Sequence, residues 1–161
     1  MKTRRLAPVA LAAAVLLGAT GCTFLTTQAT EIPYSAADGV NIPPSGPLLV
    51  RNALLVSDEE GTSANFLAAI VNDTDSSATL AVGIDGVNQR VRVPARTTVS
   101  LGFEDVDPLL FTDLDTHSGA TLPVTFQSGD GEAVEYEVPV LDGALDYLAP
   151  FVPTAASTLT N

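Results

Sequence analysis

Asp113, Asp115 and His117 alternate along the stretch FTDLDTHSG, and Glu104, Asp105 and Asp107 stand shortly before it. Carboxylates at flexible spacing suit a hard cation such as calcium, which takes about six to eight oxygen ligands. The spacing matches no EF-hand loop, and zinc would find one nitrogen donor and no sulfur. A solvated loop rich in Asp turns accounts for the same residues. No metal is therefore expected, and Asp113, Asp115 and His117 are the weak candidates for holding one. His117 also precedes Ser118. A Ser and a His adjacent in sequence are seldom placed for proton transfer, and no G-x-S-x-G elbow is present. With the catalytic constellations missing, the chain is read as no enzyme, acting by binding and needing no cofactor.

A second candidate is basic. Arg90 and Arg92 are two apart in VNQRVRV and share one face of any strand. Arg96 opens the next run across a short turn. Three guanidiniums suit an anionic partner or a carboxylate-bearing ligand. The simpler account is a solvent face paired with nearby acids such as Asp85.

The lone cysteine, Cys22, sits at the end of a different pattern. MKTRR is basic, LAPVALAAAVLL (6–17) is wholly apolar, and small residues follow it. That order is a secretory leader, and the apolar run falls short of the roughly 20 residues of a membrane span. Ala19-Thr20-Gly21-Cys22 resembles a bacterial lipobox, with Ala19 where Leu is usual. The resemblance implies cleavage before Cys22 and acylation of its sulfur, palmitate being one such chain. The alternative is an ordinary cleaved leader with a free thiol beside the cut, which is an oxidation hazard. Each buried CH₂ contributes about 0.8 kcal/mol and one chain holds only marginally, so two or three chains make a lasting anchor.

The 161 residues carry 7 Lys and Arg against 19 Asp and Glu, a net charge of −12. Loss of residues 1–21 leaves only Arg51, Arg90, Arg92 and Arg96 on the basic side. Such a surface repels nucleic acid and anionic headgroups. No nucleic-acid partner is expected, and membrane contact falls to the lipid on Cys22. Without a second cysteine there is no intramolecular disulfide, so packing alone must hold the fold.

The elements that position these residues are short and β-rich. Residues 22–46 read as the lipidated Cys and a linker, about 25 Å across as a coil and about 75 Å when stretched. Its later part, IPYSAADGVN, has enough apolar residues to lie against the domain. Within 47–149 seven runs stand between turn clusters: 48–56, 65–72, 79–84, 87–93, 96–101, 121–127 and 133–140. NFLAAIVN is apolar on both faces, as a central strand is, and Asp85-Gly86 is a hairpin signal. Val87, Val91 and Val93 are expected inward, as are Val134, Tyr136, Val138 and Val140. Pro123 and Pro139 point to edges or bulges. Leu109, Leu110, Phe111 and Leu114 are expected to form a turn of helix over one end. Leu141, Leu145 and Leu148 have the spacing of a short helix covering a sheet edge. Residues 150–161 are read as a disordered tail. The fold class is all-β, an antiparallel β-sandwich of about seven strands, immunoglobulin-like or cupredoxin-like.

The stretches GPLLVRNALLVS, NFLAAIVND and TLPVTFQSGDG with EYEVPV, behind a lipobox, resemble small actinobacterial surface lipoproteins. These are related to the PCu(A)C-type periplasmic copper chaperones. The likeness covers roughly residues 38–148 and implies a cupredoxin-like sandwich. That family binds Cu(I) through Met and His, soft donors for a soft ion. Here Met1 is the one Met and His117 the one His, so the resemblance carries no ligand set over. The expected role is a lipid-anchored binding or scaffolding protein on the outer face of the cell membrane, meeting an envelope protein or a small ligand. The alternative is an envelope metal-handling protein of the copper-chaperone kind.

Overall fold

The structure is a computed structural model that describes residues 37–154 apart from Glu104. The expected leader, Cys22 and most of the expected linker lie outside these residues. Eight strands follow in order: β1 (Leu48–Ser57), β2 (Ser63–Asn72), β3 (Ala78–Ile84), β4 (Val87–Val93), β5 (Thr97–Ser100), β6 (Leu109–Thr112), β7 (Thr121–Ser128) and β8 (Val134–Leu141). All seven expected strands form, each within two residues of its expected ends. Among the described residues there is no α-helix, only a 3-10 turn at Ala149–Phe151.

The fold is all-β, and the sheet is mixed where an antiparallel one was expected. Its order is β4-β3-β7-β8-β1-β2-β5, with β6 also beside β2. β1 and β8 run parallel, paired at Leu55↔Val140 and Val56↔Leu141; the other pairs are antiparallel. β8 joins the two layers, since it meets β7 along most of its length and β1 at its end. At the opposite rim the Gln89 side chain of β4 donates to the Leu110 carbonyl of β6. The sheet is thus nearly closed, between a sandwich and a barrel.

β2 is central, as its sequence implies, and its flank explains β6. β5 covers Ala69–Asn72 and leaves the backbone of Ser63–Phe66 open. Buried backbone groups need partners, and Leu109–Thr112 supplies them as a strand in place of the expected helical turn. Its alternation follows: Phe111 is fully buried and Leu110 faces solvent.

β1 carries the fold's main irregularity. Leu48 and Val50 point into the inter-sheet core, and so do Ala53 and Leu55. The parity switches because pairing to β2 breaks between Arg51 and Leu54, where Asn52 sits at φ 50°. A bulge of this kind re-aims side chains, and Asn tolerates the left-handed region. Leu54 and Val56 are thereby turned to the outer face. The linker's later part does lie against the domain: Val40 bridges Ala53 and Ile42 is buried.

Asp85 and Gly86 both have positive φ, 48° and 83°, the signature of a type I′ hairpin. Val87, expected inward, is 54% exposed, because it opens β4 at the hairpin tip, beyond the core. Tyr136 is likewise exposed and Val134 only half-buried. Val138 and Val140 reach the core, where β8 approaches β1. Pro123 pairs Glu137, outside the β3–β7 pairs, which stop at Thr125, and Pro139 pairs Thr121, just before β8 meets β1. Both therefore sit where their strand has one neighbour.

Asn72 is fully buried and ties two turns to the end of β2. Its Nδ2 donates to the carbonyls of Ser76 (2.9 Å), Val93 (3.1 Å) and Pro94 (2.9 Å). Its Oδ1 accepts from the Thr74 backbone N–H (3.1 Å) and hydroxyl (2.7 Å).

Among the described residues after β8 there is no α-helix, only the 3-10 turn. Asp142 accepts from Ala144 N–H, a local turn that competes with helix, and Pro150 follows. Leu145 stays exposed. Leu148 packs with Leu54, Val56 and Leu67 in a second small core that Leu141, Phe151 and Val152 border. Asn65 Nδ2 holds the Phe151 carbonyl at 2.9 Å. The segment covers the outer face of β1 and β2, where a sheet edge was expected. The expected domain boundary at 149/150 falls inside this turn, and residues 155–161 lie outside the described ones.

Candidate functional site

Asp113, Asp115 and His117 do share one exposed side, because Leu114 and Thr116 alternate with them inward. The segment opens at Asp113 in the left-handed region (φ 61°) and is held by Leu114 N–H to Thr62 carbonyl (3.0 Å) and Thr116 N–H to Gly61 carbonyl (3.1 Å). Among the described residues no three His, Cys, Asp or Glu side chains gather closely enough to hold a metal ion. The Ser118 hydroxyl donates to Asp142 at 2.9 Å, so it is turned to a carboxylate rather than to the neighbouring imidazole. Together with Ala144 N–H, that bond holds the Asp142 carboxyl below the usual carboxylate range. The arginines are placed on exposed positions. Arg96 pairs with Asp75 at 2.9 Å, and Arg92 donates to Ser77 at 2.7 Å. Both are thus tied to the 73–77 turn, and the acid that pairs is Asp75 rather than Asp85. Arg90 lies on β4 opposite Ala81.

A different place has the shape of a binding site. On the outer face of β1 and β2 a cavity of about 140 Å³ is lined by Leu54, Leu67, Ala69, Ser100, Leu148 and the rings of Phe103, Tyr147 and Phe151, with Asp38 and Asn52 at its polar side. Each wall has a structural cause. The bulge turns Leu54 outward. β5 continues to Leu101, whose N–H meets Ala68 carbonyl at 2.9 Å, and a turn closed by Gly102 N–H to Val106 carbonyl presents Phe103. Phe103 and Phe151 meet at 5.5 Å between ring centroids with a 55° tilt. The polar side is fixed by the bulge as well. Gly39 N–H donates to Asn52 Oδ1 at 2.8 Å. Gly39 passes so near β1 that a Cβ would stand 2.5 Å from the Ala53 carbonyl oxygen. Asp38 is thereby held where its Oδ2 accepts the Tyr147 hydroxyl at 2.7 Å. That bond pushes the Tyr147 phenol above its usual value.

Fold comparison places this frame. The copper-bound PCuAC domain from PmoF2 superposes with a TM-score of 0.50 over 63% of this chain and 97% of that domain, at 15% identity. The domain has a PCuAC-like fold. The apo PCuAC domain from PmoF1 gives the same TM-score over 62% of this chain and 97% of its own, at 19% identity. No protein-family model and no curated protein sequence matches the chain. Residues 37–154 contain no Met and no Cys, and their one imidazole, His117, stands apart from any triad.

The pocket was not among the sequence-derived sites. A usable signal was present all the same. In a chain that is 6% aromatic, Phe103, Tyr147 and Phe151 all fall outside the expected strands. Aromatic residues that no strand buries have to be covered by something else or stay open to a ligand.

Proposed function

We propose that the protein is an exported lipoprotein that works by binding at the outer face of the cell membrane, with the pocket over β1 and β2 as its binding site. The observation that carries this reading is the pocket's composition. Its floor is apolar, and its rings remain open: Phe103 is 54% and Tyr147 56% exposed, with Leu145 also exposed nearby in sequence. Concave apolar surface with a few placed polar groups is the usual make-up of a ligand site. The tether rests on the basic head, the apolar run and Cys22. Among the described residues no helix is long and apolar enough to cross a membrane.

Labelled fatty acid is expected to enter the wild-type protein, and Cys22→Ala to abolish labelling and release the chain into the medium. Continued membrane binding by the variant would put the anchor elsewhere.

A second reading is copper handling at the envelope, favoured by the likeness to a copper-bound PCuAC domain. It requires donors that residues 37–154 do not bring together. One experiment separates the two. The full chain is titrated in parallel with toluene, a neutral single ring, followed by amide chemical shifts, and with Cu(I). Saturable toluene shifts in the wild type that weaken with Phe103→Ala support the pocket. Cu(I) binding tighter than about micromolar, lost on His117→Ala, supports the second reading instead.

A further inference from the structure

Resting on the pocket as the binding site, we propose that its ligand is an apolar organic cation: a compact hydrocarbon or aromatic body carrying an ammonium group. The body would sit on Leu54, Leu67 and Leu148 between the rings, and the ammonium would meet Asp38.

Three observations lead there. The volume, about 140 Å³, is close to the roughly 150 Å³ that accepts a benzene ring. The lining includes three aromatic side chains and one charged group, Asp38, with no Lys, Arg or His. Aromatic faces attract cations, and the chain as a whole carries −12, which draws a cation and repels an anion. The third is the position of Asp38 at the rim. A ligand that fills the pocket covers this carboxylate and removes its water. A neutral or anionic ligand leaves it buried without a counter-charge, which is unfavourable. An ammonium replaces the lost water with a charge-assisted hydrogen bond.

The carboxylate is arranged for this. A carboxylate has about four acceptor positions, and Tyr147 takes one of them, fixing the group's orientation. Its backbone is locked by Asn52 at the neighbouring Gly39 and by the Val40 bridge to Ala53. Asp38 is therefore placed by the β1 bulge, in contrast to a surface acid on a free loop.

The test is a titration of the full chain with benzylammonium, benzyl alcohol and benzoate, followed by amide chemical shifts. Benzylammonium is expected to bind about tenfold more tightly than benzyl alcohol, with benzoate weakest, and its advantage should shrink as salt is raised. Shifts should concentrate on Leu67, Ala69, Phe103 and Leu148. Asp38→Asn should lower benzylammonium to the level of benzyl alcohol. Asp38 is exposed, and an unchanged amide spectrum shows that the variant folds. Equal affinity for benzyl alcohol and benzylammonium in the wild type overturns the cation while leaving the pocket in place. Absence of binding by all three overturns the pocket itself.

Discussion

Asn72→Asp is expected to cost about 3–5 kcal/mol at pH 7, the usual penalty for an uncompensated buried charge. The side chain is fully buried, and its amide donates toward three backbone carbonyls. A carboxylate has no hydrogens to offer, and its oxygens would face the oxygens of Ser76, Val93 and Pro94. Both desolvation and these dipoles disfavour the charged form, so the pKa of the new Asp rises in the folded state above the roughly 3.9 of an unfolded chain. The sign of the pH dependence follows. The folded state binds the proton more tightly, so the variant loses stability relative to wild type as pH rises above the unfolded value, until the folded pKa is passed. The deficit should therefore be smallest below about pH 4, where the carboxyl is protonated in both the folded and the unfolded state. Asn72→Ala lacks this pH dependence and leaves the carbonyls unpaired, at about 1–3 kcal/mol per buried group. Urea unfolding of both variants at several pH values reads these differences. A midpoint for Asn72→Asp equal to that of wild type at pH 7 would mean the network does not hold the β2 end in place.

Phe66→Ala is the second large effect, expected at about 3–5 kcal/mol. Phe66 is fully buried on β2, and its ring lies 5.9 Å from that of Phe126 on β7. The pair spans the space between the two layers, so truncation opens a cavity that neither layer can close alone. Against a total of about 5–15 kcal/mol for an ordinary domain, the variant should be marginal. It should show a lower urea midpoint at nearly unchanged slope. Phe103→Ala provides the contrast. It removes an exposed ring and one tilted pair with Phe151, worth about 0.5–1.5 kcal/mol. A similar loss from the two substitutions would contradict the division between inter-sheet core and open pocket.

Strands were legible wherever alternation and turn residues agreed. TLAVGI, Asp85-Gly86 and VNQRVRV announce a hairpin, and β3 and β4 form one. Leu109–Thr112 was not legible as a strand, because three large apolar residues in a row fit a helical turn equally well. The open flank of β2 decided the matter, and that flank depends on how short β5 is. Asn52 was a readable sign, a polar residue that tolerates positive φ amid apolar neighbours, yet its effect on parity depends on residues 38–42 pairing alongside. The pocket was hidden for a related reason. Asp38, Leu67, Phe103 and Tyr147 come from four separate stretches, and no spacing along the chain relates them. The arginines show the opposite case: adjacency on β4 was readable, while the partners Asp75 and Ser77 came from a turn that only folding brings near.

The parallel contact between β1 and β8 has a kinetic consequence. Leu55 meets Val140, so the domain's first strand waits for its last. Such distant pairing raises contact order and slows folding, since a large loop must close before the contact repays it. A chain delivered N-terminus first cannot seal its sheet until almost every residue has emerged. Until β8 arrives, the edge of β1 that Leu55 and Val56 offer stays open.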